Sequence, residues 1–273
     1  MIAFGGKSFP ITVEVVPPGG PDAGPLLSSL EAVKQLPFYG YSVASNPVAK
    51  PYMDALAFSA LLQRRTGKPL VLHCTTRDHN YLSLQGLLWG ARAMGVETVL
   101  AATGDLIALQ RERKMTTVRD LDVFALVRLA REAGFQTGVV LDPRFGVGSL
   151  EKELDRLRRK IAAGAQFAVT QPLYDERTAG LLAKRTRNVG VPVMMGILPL
   201  RSTRHAAFLQ EKVAGIAVPE NIRRRLREAD DPLKEGLEAA AEMLSLARTH
   251  FAGACIMPTA GNFQVLYRLL ETS

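Results

Sequence analysis

The residues able to do chemistry in this 273-residue chain are few, and they stand at the ends of short apolar runs. Glu14 lies between Val13 and Val15, late in the run Ile11 to Val16. A carboxylate among apolar neighbours is costly to ionise, so Glu14 is either an outward, salt-bridged acid or a buried one that keeps a proton near neutral pH. The densest polar stretch, His73-Cys74-Thr75-Thr76-Arg77-Asp78-His79-Asn80, follows Leu70-Val71-Leu72 directly. Thr103-Gly104-Asp105, Asp142-Pro143 and Thr170-Gln171-Pro172 close three more apolar runs. His73, His79 and Asp78 fall short of the four ligands of a closed metal site, and no metal is expected. There is no G-x-S-x-G nucleophile elbow. Cys74 and Cys255 are too few for a disulfide framework or a four-cysteine zinc site. Gly146-Val147-Gly148 reads as a structural turn ahead of a helix rather than a phosphate loop.

The elements that must position these residues alternate along the chain. Strands are expected at Ile11 to Val16, Tyr41 to Ala44, Pro69 to Cys74, Thr98 to Ala102, Thr137 to Leu141, Phe167 to Thr170, Pro192 to Met195 and Ala254 to Met257. A helix-length segment follows each, several closed by glycine (Gly67, Gly95, Gly134, Gly164). Ala108 to Val118 reads as a charged connection. Two added helices, Pro219 to Glu228 and Pro232 to His250, precede the last strand. Eight βα units give the count of a (β/α)8 TIM barrel, one domain over residues 1–273. A doubly wound sheet is the alternative, but Pro17-Pro18-Gly19-Gly20 after the first strand lacks the dinucleotide fingerprint. In a barrel, the polar strand ends converge on one mouth.

Charge sets the class of partner. With 34 Lys plus Arg, 24 of them arginine, against 26 acids, the net charge is +8 and the chain attracts anions. Aromatics make up only 7% and do not interleave with the arginines, which argues against nucleic acid. No apolar stretch reaches membrane-spanning length, and Met1 to Pro10 lacks the apolar core of a signal peptide, so a cytoplasmic location is expected.

Seven of these segments, in order, resemble the methylenetetrahydrofolate reductase family: Val13-Glu14-Val15-Val16-Pro17-Pro18, His73 to Asp78, Leu100 to Asp105, Lys160 to Ala165 with Thr170-Gln171-Pro172, Gly196-Ile197-Leu198-Pro199, Gly215 to Pro219, and Cys255-Ile256-Met257-Pro258. The length and the Arg77-Asp78-His79-Asn80 variant resemble compact bacterial forms that are the catalytic barrel alone. The resemblance implies hydride transfer through a bound flavin, FAD rather than FMN, reducing 5,10-methylenetetrahydrofolate to 5-methyltetrahydrofolate or running in reverse. The co-substrate would be NADH, NADPH or a protein electron donor. By position, Glu14 would be the general acid and Asp105 a catalytic residue beside flavin and folate. Gln171 would bind substrate, and His73, Thr103, Gly104, Arg156, Arg159 and Lys160 would surround the flavin. The family's threonine at the second strand end is replaced by Ala44, followed by Ser45 and Asn46. That change motivates an alternative in which the barrel binds folate and works only with an electron-transfer or corrinoid methyl-transfer partner. A homo-oligomer or hetero-complex is expected.

Overall fold

A computed structural model describes all residues except 6–7, 106–115, 119, 144–148, 214 and 272–273. The Gly146–Gly148 turn and most of the Ala108–Val118 connection therefore lie outside the described residues. Eight strands appear among the rest: β1 (Ile11–Val15), β2 (Gly40–Val43), β3 (Leu70–Thr75), β4 (Thr98–Ala102), β5 (Gln136–Leu141), β6 (Phe167–Pro172), β7 (Val193–Ile197) and β8 (Gly253–Ile256). All neighbours pair in parallel, and β8 returns to β1, closing the expected barrel. Around it run α1 (Gly24–Ala32), α2 (Ala55–Thr66), α3 (Tyr81–Ala93), α4 (Val123–Glu132), α5 (Ser149–Ala162), α6 (Glu176–Thr186) and α7 (Thr203–Lys212). The two added helices α8 (Glu220–Glu228) and α9 (Pro232–His250) come before β8, and α10 (Val265–Leu270) follows it.

Side chains alternate along each strand, so every strand feeds two cores. Val13, Val15, Tyr41, Val43, Leu72, Val99 and Val139 join the large outer core beneath the helices. Val71, Leu100, Phe167, Val169, Met194 and Cys255 fill the barrel itself, with Ile2 joining them from the N-terminal segment. Gly138 belongs to this inner layer for want of space: a Cβ there would lie 2.2 Å from the Phe167 ring. Helix entries at the strand C-terminal side are fixed by short polar caps. Asp54, Asn80, Asp122, Asp175 and Ser202 each accept the backbone N–H three residues on, and Asp231 accepts those of Leu233 and Lys234.

The caps set where the helices begin: Pro47–Ala49 forms a separate 3-10 turn and α2 starts only after Asp54, and α4 begins at Val123, behind Asp122.

Candidate active site

Alternation decides which polar residues meet. Val13 and Val15 face the outer core, so Glu14 between them faces the barrel interior near the C-terminal end of β1. In the β1–β2 register Glu14 stands opposite Ser42, which the same alternation turns inward between Tyr41 and Val43. Ser42 Oγ lies 2.7 Å from His73 Nε2 on β3. Thus three adjacent strands place a carboxyl, a hydroxyl and an imidazole on one wall below the mouth.

Their environment sets their protonation. Burial, with the charge of Asp105 adding to it, raises the Glu14 carboxyl to about 7. Burial also lowers the His73 imidazole to about 4, so it is neutral at physiological pH. Cys255, on the inner face of β8, is pushed up to about 12 by burial and then by Glu14. Cys74 on the outer face is likewise raised to about 12. Neither thiol is a thiolate near neutral pH, which removes cysteine nucleophiles from this wall.

Asp105 follows β4 and is held by two neighbouring loops. Its Oδ2 accepts the Val48 N–H at 2.5 Å, and its backbone carbonyl accepts Arg77 Nη1 at 3.1 Å. Arg77 is buried and joins three strand ends at once. It also donates to the Asn46 carbonyl at 3.1 Å, and Nε donates to Asp78 Oδ1 at 2.6 Å while Nη2 pairs with the other oxygen. Gly104 makes this crowding possible. Its φ is +91°, and a Cβ there would lie 2.9 Å from the Arg77 Cβ. The β2 loop reaches Asp105 through a strained segment, with Asn46, Val48 and Ala49 all in the left-handed region. For the β-branched Val48 this conformation costs about 1–2 kcal/mol.

The remaining expected site residues divide. Thr103 and Gly104 stand beside Asp105, and Arg156 Nη2 donates to Thr103 Oγ1 at 3.2 Å, which brings α5 to the same rim. Lys160 is buried and donates to the Val140 carbonyl of β5 at 2.6 Å, so its ammonium serves a strand. Burial, with Arg156 nearby, lowers it to about 8. Arg159 is not brought to the mouth: its guanidinium stacks 4.3 Å over the Phe124 ring of α4. Gln171 sits half-buried at the end of β6, where the register with β7 shifts. Among the described residues no three His, Cys, Asp or Glu side chains are grouped to hold a metal. His79 instead bonds Ser83 Oγ at 2.9 Å, away from His73.

Ser42 and the bracing role of Arg77 were not singled out from the sequence. The first had a signal, since Tyr41-Ser42-Val43 alternates as Val13-Glu14-Val15 does. The second had none, because the reach of a guanidinium across three loops is a tertiary fact.

A sequence model of the family Methylenetetrahydrofolate reductase matches residues 3–254. Curated relatives include the "Probable methylenetetrahydrofolate reductase (NADPH)" of Caenorhabditis elegans, 27% identical over 65% of this chain and 28% of that protein. "Methylenetetrahydrofolate reductase 2" of Saccharomyces cerevisiae is 26% identical over 67% of this chain and 31% of its own length. The chain thus spans under a third of the length of these relatives. Among solved structures, an uncharacterized Clostridium thermocellum protein that binds two copies of 5-methyl-5,6,7,8-tetrahydrofolic acid superposes with a TM-score of 0.70. It is 15% identical, over 97% of this chain and 94% of that one. A tryptophan synthase α-subunit of Pyrococcus furiosus reaches 0.54 at 16% identity, covering 96% of this chain and 98% of that one. At these identities both report the barrel fold.

Proposed function

The chain belongs to the methylenetetrahydrofolate reductase family, and from that membership we propose that it interconverts 5,10-methylenetetrahydrofolate and 5-methyltetrahydrofolate at the barrel mouth, with Glu14 as general acid. The observation that carries this reading is the Glu14 carboxyl, turned inward at the strand end and raised to about 7 beside Asp105. Opening the imidazolidine ring requires a proton on N10 and leaves a 5-iminium cation. An acid whose pKa matches neutral pH holds that proton and releases it to a bound amine. The Asp105 carboxylate, fixed by Val48 and by the Arg77 brace, favours the cation that results.

The reading implies FAD, and residues at the mouth fit such a group. Thr75 Oγ1 is buried without a hydrogen-bond partner on the strand face that carries His73, and Gly104 keeps the adjoining β4 end free of a side chain. His73, Thr75, Thr103 and Gly104 would hold the ring system, and Arg156 the phosphates; Lys160 and Arg159 are engaged elsewhere. Reduced by the electron donor, an FAD held there would supply the hydride that the folate accepts. Folate would be the substrate and NADH, NADPH or a protein the electron source.

Glu14→Gln is the test. The variant should still bind flavin and let it be reduced by the donor, while reoxidation by methylenetetrahydrofolate falls by at least about a hundredfold. Unchanged folate turnover in that variant would remove Glu14 from the role.

A further inference from the structure

Helix α3 carries an outward face unlike those of α5 and α8. Its thirteen residues include one charge, Arg92. Leu84, Leu88 and Ala91 are buried against the barrel. On the other side Leu82 is 80% exposed, Trp89 64% and Tyr81 52%. Leu82, Gly86, Trp89 and Ala93 follow one another at spacings of four, three and four residues, which is one continuous stripe. Helices α5 and α8 by contrast fill their outer faces with Glu, Lys and Arg.

We propose that this face is the contact between two copies of the chain, with α3 packed antiparallel on α3 about a two-fold axis near Gly86. A closed two-fold contact requires a surface that complements itself. The stripe does: Leu82 and Trp89 lie on opposite sides of Gly86 at nearly equal distance, so reversal sets each Trp89 against the partner's Leu82. Gly86 sits at the crossing, with nothing within 4 Å of where its Cβ would be, and lets the two backbones approach. With one arginine at its edge, the face brings little like charge together although each copy carries +8 overall. Covering Tyr81, Leu82 and Trp89 removes roughly 450 Å² per copy, so a pair reaches roughly 900 Å² before Gly86 and Ala93 are added. That lies just under the roughly 1,000 Å² of a stable specific interface, so the dimer is a weak, concentration-dependent one.

Trp89 is the sole tryptophan of the chain, so intrinsic emission reports on this face alone. On dilution of the full chain from about 50 μM to 50 nM, emission should move to the red as sedimentation velocity passes from two chains to one. Leu82→Asp should sediment as a monomer throughout, with red-shifted emission and with far-UV dichroism and melting unchanged, because Leu82 supports nothing within the fold. A chain monomeric at every concentration overturns the proposal, as does a dimer that survives Leu82→Asp.

Discussion

Two residues on one wall below the mouth, Glu14 and His73, titrate in opposite senses, and stability against pH should show both. Glu14 binds its proton more tightly folded than unfolded, from 4.5 up to about 7, so its contribution is full below pH 4.5 and is lost as pH rises through 7. His73 is the reverse: folding lowers it from 6.5 to about 4, so stability is present above pH 6.5 and is lost as pH falls through 4. The windows overlap and the slopes oppose, so these two groups together leave a nearly flat profile between pH 4.5 and 6.5. Glu14→Gln removes one slope. In urea unfolding the variant should match the parent near pH 4 and exceed it by up to about 3 kcal/mol at pH 8, with the His73 rise between pH 4 and 6.5 now visible. An identical pH dependence in parent and variant would mean that Glu14 titrates as an ordinary exposed acid.

At the scale of elements, three loops act as one piece because Arg77 ties the ends of β2, β3 and β4 together. Truncating the buried guanidinium removes its bonds to two loop carbonyls and leaves the solvent-exposed Asp78 unpaired, so Arg77→Ala should cost about 1–3 kcal/mol in denaturant unfolding. Gly104→Ala tests the same brace from the other side. Its left-handed φ and the 2.9 Å approach to Arg77 should cost more than about 1 kcal/mol and weaken folate turnover more than flavin retention, since Asp105 is the next residue. If the alanine variant turns over folate normally, the brace does not position Asp105. The sequence made the elements legible and the brace not. Eight apolar runs with glycine-closed helices between them are local patterns, and residues such as Asp54 and Asp122 move the boundaries only by a turn. The strand-end positions of Glu14, His73 and Asp105 were legible, although the pattern alone left open whether Glu14 faces in or out. Arg156 to Lys160 illustrate the limit. A basic helix face has one pattern but three fates here: Arg156 at the rim, Arg159 over an aromatic ring and Lys160 under a strand carbonyl. Only the distances to α4, β4 and β5 separate them.

At the scale of the whole molecule, the excess of basic residues acts through the field rather than through single contacts. Many arginines on the outer helices are already paired: Arg65 with Glu31, Arg158 with Asp155, Arg185 with Glu151, Arg223 and Arg227 with Glu220, and Arg225 with Glu235 and Glu242. These pairs are surface contacts worth little each, and they leave the net charge of +8 unchanged. What remains is a long-range positive potential felt by an approaching anion, and a reduced folate with its carboxylates is one. Such attraction is screened over about 10 Å at 0.1 M salt and about 3 Å at 1 M. It acts on encounter, whereas on the proposed function proton transfer from Glu14 to a bound folate would take place inside the mouth. Raising salt from 50 mM to 1 M should therefore raise the folate KM several-fold and leave kcat within about twofold. A kcat that falls with salt while KM holds would locate the charge effect in the chemical step and make Asp105 and Arg156, rather than the global field, its source.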